Sequence, residues 1–258
     1  DYFKGVVWAL FIRGLPVLPC EAVVTGDLPQ GAGLSSSAAY EVATTILLKQ
    51  LSGFDLPSLE VAKVAREAEN GFVGVTCGIM DQVASVFGEK GCALLLDCRT
   101  LAREVVALPP DLQVVVVDSG VKHDLASSEY NQRRAECARG VKALGAVLPG
   151  VTSLRDVTPE DVEKNERAMD PVARRRCRHV VRENARVLSA VKALRSGDRD
   201  GLKTLLLDSH YSLRDDYEVS CPELDVLVEV ASTLPYCYGS RMTGGGFLPM
   251  RTAAPVNS

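Results

Sequence analysis

The chain has 258 residues, 47% apolar and 24% charged, with a net charge of -4 at pH 7. That length supports one large core or two smaller ones, and two compact lobes fit best; the acidic balance leaves no electrostatic footprint for a nucleic-acid partner. No apolar run reaches the roughly 18 residues of a membrane-spanning helix, and eight cysteines without a Cys-x-x-Cys pair read as reduced thiols of a cytosolic protein.

Asp1-Tyr2-Phe3-Lys4 is neither a signal peptide nor an initiator start, so the chain reads as a fragment. Phe3 to Phe11 is apolar and of helical length, and Glu21 to Thr25 predicts a short strand. Gly26 to Ala39 then joins that strand to a helix through glycines and the run Ser35-Ser36-Ser37. The helix extends to Leu51, with Ala39, Val42, Ala43, Ile46, Leu47 and Leu51 as its core face. A second helix starts at Pro57-Ser58 and is expected to stop at the cap-like pair Asn70-Gly71. Cys77 to Gln82 opens another helix, ending near Gly88, with Asp81 read as its N-cap.

Three β-rich runs follow, Cys92 to Asp97, Glu104 to Leu108 and Leu112 to Asp118. The last contains Val114-Val115-Val116-Val117 and is expected to be buried on both faces. Four helices complete the pattern, Ser127 to Leu144, Asp170 to Leu194, Asp200 to Tyr217 and Cys221 to Thr233. Ser220 and Glu223 form a capping box for the last. The change from mixed to helical composition near residue 119 is the expected domain boundary. Arg174-Arg175-Arg176-Cys177-Arg178-His179 reads as a solvated helix face, and His123, His179 and His210 as surface or packing residues; zinc is not supported.

The chemistry concentrates in the glycine–serine segment. Gly31 and Gly33 let a backbone approach an anion, and Ser35 to Ser37 end where a helix presents free N–H groups, which is the arrangement of a phosphate cradle. No Gly-Lys-Ser/Thr follows, and the Gly-x-Gly-x-x-Gly spacing is absent, so neither a P-loop nor a dinucleotide fold is indicated. Glu69 falls in the last turn of its helix, where a negative charge opposes the dipole. Its bland reading is a solvated surface glutamate; its functional reading is a Mg²⁺ ligand beside the cradle. Asp81 has a good N-cap reading, while Cys77 and Gly78 before it leave room for a substrate.

Pro29 to Ala38 resembles the second signature motif of the galactokinase, homoserine kinase, mevalonate kinase and phosphomevalonate kinase (GHMP) superfamily. Ala68-Glu69-Asn70, Gly71-Phe72-Val73-Gly74, Cys77 to Gln82, Leu95 to Arg99, Ser127 to Tyr130, Arg178 to Val181 and Leu213 to Asp225 resemble, in family order, the galactokinase family of animal type. The resemblance covers roughly residues 4 to 247. It implies an α+β GHMP kinase fold: residues 1–118 as a nucleotide-binding domain like the second domain of ribosomal protein S5, without its first strands, and residues 119–258 as a ferredoxin-like domain without its last elements, 248–258 being a divergent tail.

The resemblance also implies roles. Gly31, Gly33, Leu34, Ser35, Ser36 and Ser37 wrap the phosphates of ATP, and Ser37 with Glu69 holds Mg²⁺. Asp81 acts as base on the anomeric hydroxyl of galactose, with Gly78 and Tyr217 contacting the sugar. The implied protein is a cytoplasmic monomer that phosphorylates D-galactose at C1, without nucleic-acid or membrane partners. The family's first motif, Gly-Arg-Val-Asn-Leu-Ile-Gly-Glu-His-Thr-Asp-Tyr, is not in this sequence. After Met242-Thr243-Gly244-Gly245-Gly246-Phe247 the expected Gly-Gly-Cys and strand are replaced by a proline-containing tail. The alternatives are a catalytically impaired nucleotide-binding module and an N-acetylgalactosamine kinase.

Overall fold

The computed structural model describes residues 1–29, 33–121 and 126–244, and only the backbone of 126–128. Gln30, Gly31, Ala32, Ser127, Ser128, the glycines after Gly244 and the tail therefore lie wholly or in their side chains outside the described residues. The chain divides into two compact units, Asp1–Gln113 and Val114–Ser258. No helix among the described residues is long and apolar enough to cross a membrane.

The first unit begins with α1 (Tyr2–Ile12), α2 (Ser36–Ser52) and α3 (Ser58–Ala68), which enclose a core of Val6, Leu10, Val42, Leu48, Leu56, Val61 and Val64. Burying each such side chain contributes about 1.5–3 kcal/mol. The buried face of α3 consists of valine and alanine alone, small enough for a close helix approach. A Cβ on Gly5 of α1 would stand 3.2 Å from the Ala68 carbonyl oxygen. That contact pins the end of α3, and the next residue is Glu69.

Instead of stopping at Asn70-Gly71, the helix widens into a single π turn, Glu69–Val73. The amides of Gly74 and Val75 both donate to the Glu69 carbonyl, at 3.0 and 3.1 Å, and Gly74 closes the turn at φ +87°. Such a left-handed residue strongly favours glycine, which is why the cap falls there. Gly71 is covered by the Trp8 ring, 2.5 Å from where a Cβ would sit.

α4 (Met80–Phe87) packs Val83 against Ala62, together with Ile79 just before it. A hairpin follows, β1 (Cys92–Leu96) against β2 (Arg103–Ala107), antiparallel with Leu94 opposite Val105. Three expectations fail here. Residues 21–25 and 112–118 are not strands, and Val114 and Val115 are 79% and 77% exposed rather than buried. A β-branched run becomes a buried strand only with a neighbour on its edge, and among the described residues no strand flanks it. The core face of α2 is also rotated: Ala38, Glu41, Val42, Thr44, Thr45 and Leu48 are buried, while Ala43, Ile46 and Leu51 are exposed.

In the second unit, α5 (Ala126–Val147), α6 (Pro159–Lys164), α7 (Pro171–Ser196), α8 (Arg199–Asp215) and α9 (Pro222–Thr233) follow in order. Leu144, Leu154, Val157, Val162, Met169, Ala173, Cys177 and Val181 form the core. Gly140 of α5 lets Cys177 of α7 lie directly on its backbone, where any Cβ would collide with the sulfur. α6 has no counterpart among the expected helices, although Thr158 and Asp161 make a complete capping box ahead of it. The box expected for α9 does not form. Cys221 is its N-cap, and the Ser220 hydroxyl donates instead to Asp225 at 2.6 Å. The arginine run is not a solvated face either, since Arg176, Cys177 and His179 are buried.

Candidate active site

Within the first unit, α2, the end of α3 and the start of α4 meet through the side chain of Glu69. Ser35 precedes α2 as its N-cap in the left-handed region (φ +53°) and makes no side-chain cap bond. Gly33 is likewise left-handed at φ +72°. Two left-handed residues in close succession bend the chain sharply into the helix and leave the serine hydroxyls free of capping duty. Of the residues expected to bind phosphate, Gly33, Leu34, Ser35, Ser36 and Ser37 border this bend, and Gly31 lies outside the described residues.

Glu69 is not the solvated glutamate of the bland reading. It is 7% exposed and accepts hydrogen bonds from three elements: Ser37 Oγ at 3.2 Å, Gln82 Nε2 at 2.8 Å and Cys77 Sγ at 3.2 Å. Gln82 and Cys77 both donate to Oε2, while Oε1 meets Ser37. The Cys77 thiol is pushed up to about 12, by burial first and then by the Glu69 charge, so it remains a thiol able to donate. Asn70 fixes the intervening loop reciprocally: its Nδ2 donates to the Cys77 carbonyl at 3.2 Å and its Oδ1 accepts from the Cys77 amide at 2.9 Å.

Asp81 is the second residue of α4 rather than its N-cap, which is Ile79. Its carboxylate is half-buried at the helix's positive end, beside the Gln82 that reaches Glu69. Gly78 is exposed, with open space where a side chain would project. The structure thus gathers Ser37, Glu69, the Cys77–Gly78 loop and the start of α4 in one unit.

Glu41, one turn after Ser37, is a residue that periodicity alone missed. It is fully buried, and among the described residues neither carboxyl oxygen makes a well-formed hydrogen bond. Burial, then the Glu69 charge, pushes its carboxyl up to about 8, with the Gln82 amide pulling the other way. As the only acid on α2, interrupting an otherwise uncharged stretch, it carried a legible signal. The raised value means that folding favours the protonated form. The associated stability is fully present below the ordinary value of 4.5 and is lost as pH rises through about 8. Glu41→Gln should therefore gain on the parent chain progressively between pH 5 and pH 8 in urea melts. Parallel stability curves over that range would remove the carboxyl from the account.

In the second unit Tyr217 follows α8. Its ring stacks on His179 of α7, centroids 4.5 Å apart and 27° between planes, and its hydroxyl lies 3.9 Å from Cys137 Sγ of α5. Burial, then Cys137, raises the phenol above its ordinary value. Sequence reading marked Tyr217 but missed Arg133, whose Nε donates to the Tyr217 carbonyl at 2.7 Å.

Comparison with known proteins gives a consistent relationship. The GHMP kinases N terminal domain matches residues 1–89, and the GHMP kinases C terminal domain matches residues 190–249. The chain is 48% identical over 247 residues to galactokinase of Chloroflexus aurantiacus, covering 96% of this chain and 63% of that protein. It is 49% identical over 248 residues to galactokinase of Thermotoga neapolitana, covering 96% and 68%. The crystal structure of Lactococcus lactis galactokinase complexed with galactose superposes with a TM-score of 0.83 at 34% identity, over 96% of this chain and 64% of that one. The chain thus spans just under two thirds of the Chloroflexus relative's length.

Proposed function

The chain belongs to the galactokinase family of GHMP kinases, and on that premise we propose that it transfers the γ-phosphoryl group of ATP to the C1 hydroxyl of D-galactose. The observation that carries this reading is the Ser37–Glu69–Gln82 network, which ties the serine end of the glycine-rich segment to the helix bearing Asp81. Phosphoryl transfer needs alignment and charge neutralisation more than covalent participation, and this network supplies alignment.

In this reading Gly31, Gly33, Leu34 and Ser35 to Ser37 wrap the ATP phosphates, whose charge favours the backbone N–H groups at the start of α2. Ser37 and Glu69 offer hard oxygen donors, with Glu69 Oε1 met among the described residues by the Ser37 hydroxyl, and that set fits Mg²⁺. Bound there, Mg²⁺ supplies neutralisation of the phosphate charge. Gln82 and Cys77 occupy the other oxygen of Glu69 and hold the carboxylate in place. Asp81 accepts the proton of the sugar's C1 hydroxyl, with Gly78 giving the sugar backbone-close room and Tyr217 contacting it. The reading implies a monomer in the cytoplasm, and eight free thiols support that reducing compartment.

The test is ADP release coupled to a spectroscopic reporter, with galactose and N-acetylgalactosamine as acceptors. Release that depends on galactose and exceeds that with the N-acetyl sugar is the expected result. Preference for N-acetylgalactosamine would reassign the acceptor, and binding of nucleotide without any sugar-dependent release would make the chain a nucleotide-binding module.

A further inference from the structure

Beyond the end of α8 the chain passes through Asp216, Tyr217 and Glu218, three residues whose carbonyls have left the helix and need donors. Guanidinium groups take all three. Arg176 Nη1 donates to the Asp216 carbonyl at 2.7 Å, Arg133 Nε to that of Tyr217 at 2.7 Å, and Arg133 Nη2 to that of Glu218 at 2.9 Å. The two arginines come from different helices, α7 and α5, and are bridged by Glu136 of α5. Glu136 accepts from Arg133 at 3.1 Å and from Arg176 at 2.7 Å. Arg176 is 2% exposed, and the Glu136 side chain 6%.

The backbone they grip is strained. Glu218 has φ +55°, the left-handed conformation that usually selects glycine and costs a residue with a Cβ roughly 1 kcal/mol. The Glu218 carboxylate makes contacts that a glycine there could not make. It accepts from Arg176 at 2.5 Å and from Arg175 at 3.0 Å, while Asp216 pairs with Arg178. Main chain and side chains of this turn are thus held by arginines of α5 and α7, and the one large side chain it projects is Tyr217, seated on His179. Buried ion pairs are a poor way to gain stability alone, since well-packed apolar residues often do better. Two guanidinium groups that between them fix three successive carbonyls are suited to fixing geometry.

We infer that Arg133 and Arg176 are positioning residues that lock the Asp216–Glu218 turn and thereby set the placement of Tyr217 for the acceptor sugar. The inference rests on the proposed contact between Tyr217 and galactose. Arg133→Lys keeps the charge and removes the fork, so a single ammonium cannot serve both carbonyls. It also guards against the case in which Arg176→Met fails to fold.

Two measurements on the full chain decide the matter. Amide hydrogen exchange at Tyr217 and Val219, whose N–H groups bond Ser212 and Leu213, should speed up about tenfold in Arg133→Lys while amides inside α7 and α8 stay as they were. Galactose affinity by NMR titration should weaken about tenfold with Mg-ATP affinity unchanged, and Tyr217→Ala should weaken galactose binding without altering exchange elsewhere in α8. Unchanged exchange in Arg133→Lys would overturn the inference, as would faster exchange with galactose affinity intact in a chain where Tyr217→Ala weakens binding. No galactose binding by the parent chain, or none lost in Tyr217→Ala, strikes the sugar contact itself, and exchange then judges the arginine fork separately.

Discussion

Asp81→Asn is expected to lower galactose-dependent ADP release on the order of 10²- to 10⁴-fold, with Mg-ATP affinity close to that of the parent chain. The amide matches the carboxylate in size and cannot take up the proton of the C1 hydroxyl. Asp81 is not the N-cap of α4, so the substitution removes no capping bond. It does remove a negative charge from the first turn, a cost of about 0.3–1 kcal/mol, too small to account for a large loss of turnover. Because Gln82, not Asp81, carries the bond to Glu69, the nucleotide side of the site keeps its geometry. The experiment is best made in a form that also carries the family's first motif. A fall of less than tenfold there would deny Asp81 the role of base.

The largest stability effect is expected at Arg176. Arg176→Met leaves Glu136 buried with one of its two guanidinium partners gone and frees the Asp216 carbonyl, a change of about 3–5 kcal/mol. For a unit of this size that corresponds to a Tm lower by roughly 6–20 °C. Burial pushes the Glu136 carboxyl up, but Arg176 and Arg133 outweigh it and hold it below its ordinary value. The stability it contributes is therefore present above the ordinary carboxyl range and lost as pH falls through the lowered value, so the parent chain's advantage should shrink in acid. Adding Glu136→Leu to Arg176→Met should recover much of the loss. A double variant no more stable than the single one would show that the buried charge is not the cause.

Most of the helices were legible because their apolar periodicity and their proline or aspartate starts are local properties. Asp170, for example, caps α7 through bonds of 3.0 and 2.9 Å to Val172 and Ala173. What failed depends on contacts distant in sequence. Val114 to Val117 has strand composition, yet pairing is decided by a neighbour. The α2 face rotated because its buried side includes Glu41, Thr44 and Thr45, which apolar counting treats as outward. Arg176 read as solvated because nothing local announces Glu136, forty residues earlier. The serines, Glu69 and Asp81 could be singled out as candidates from local rules and family order, and Tyr217, in the second unit, from family order alone. The Gln82 and Cys77 bonds that hold Glu69, and the Asn70 bonds that fix Cys77, were not legible, since they depend on the π turn. That turn forms where Gly74 supplies the left-handed cap and Trp8 covers Gly71.

The proposed Mg-ATP site on Ser37 and Glu69 is tested most directly by calorimetric titration of ATP with and without Mg²⁺, on protein shown to be folded by a cooperative melt. The parent chain should bind ATP in a Mg²⁺-dependent manner. Glu69→Gln should keep its fold and lose most of that dependence, because the amide retains shape and removes the charge that offsets the cation. A folded chain that binds no ATP, or whose ATP affinity responds neither to Mg²⁺ nor to Glu69→Gln, would contradict the account.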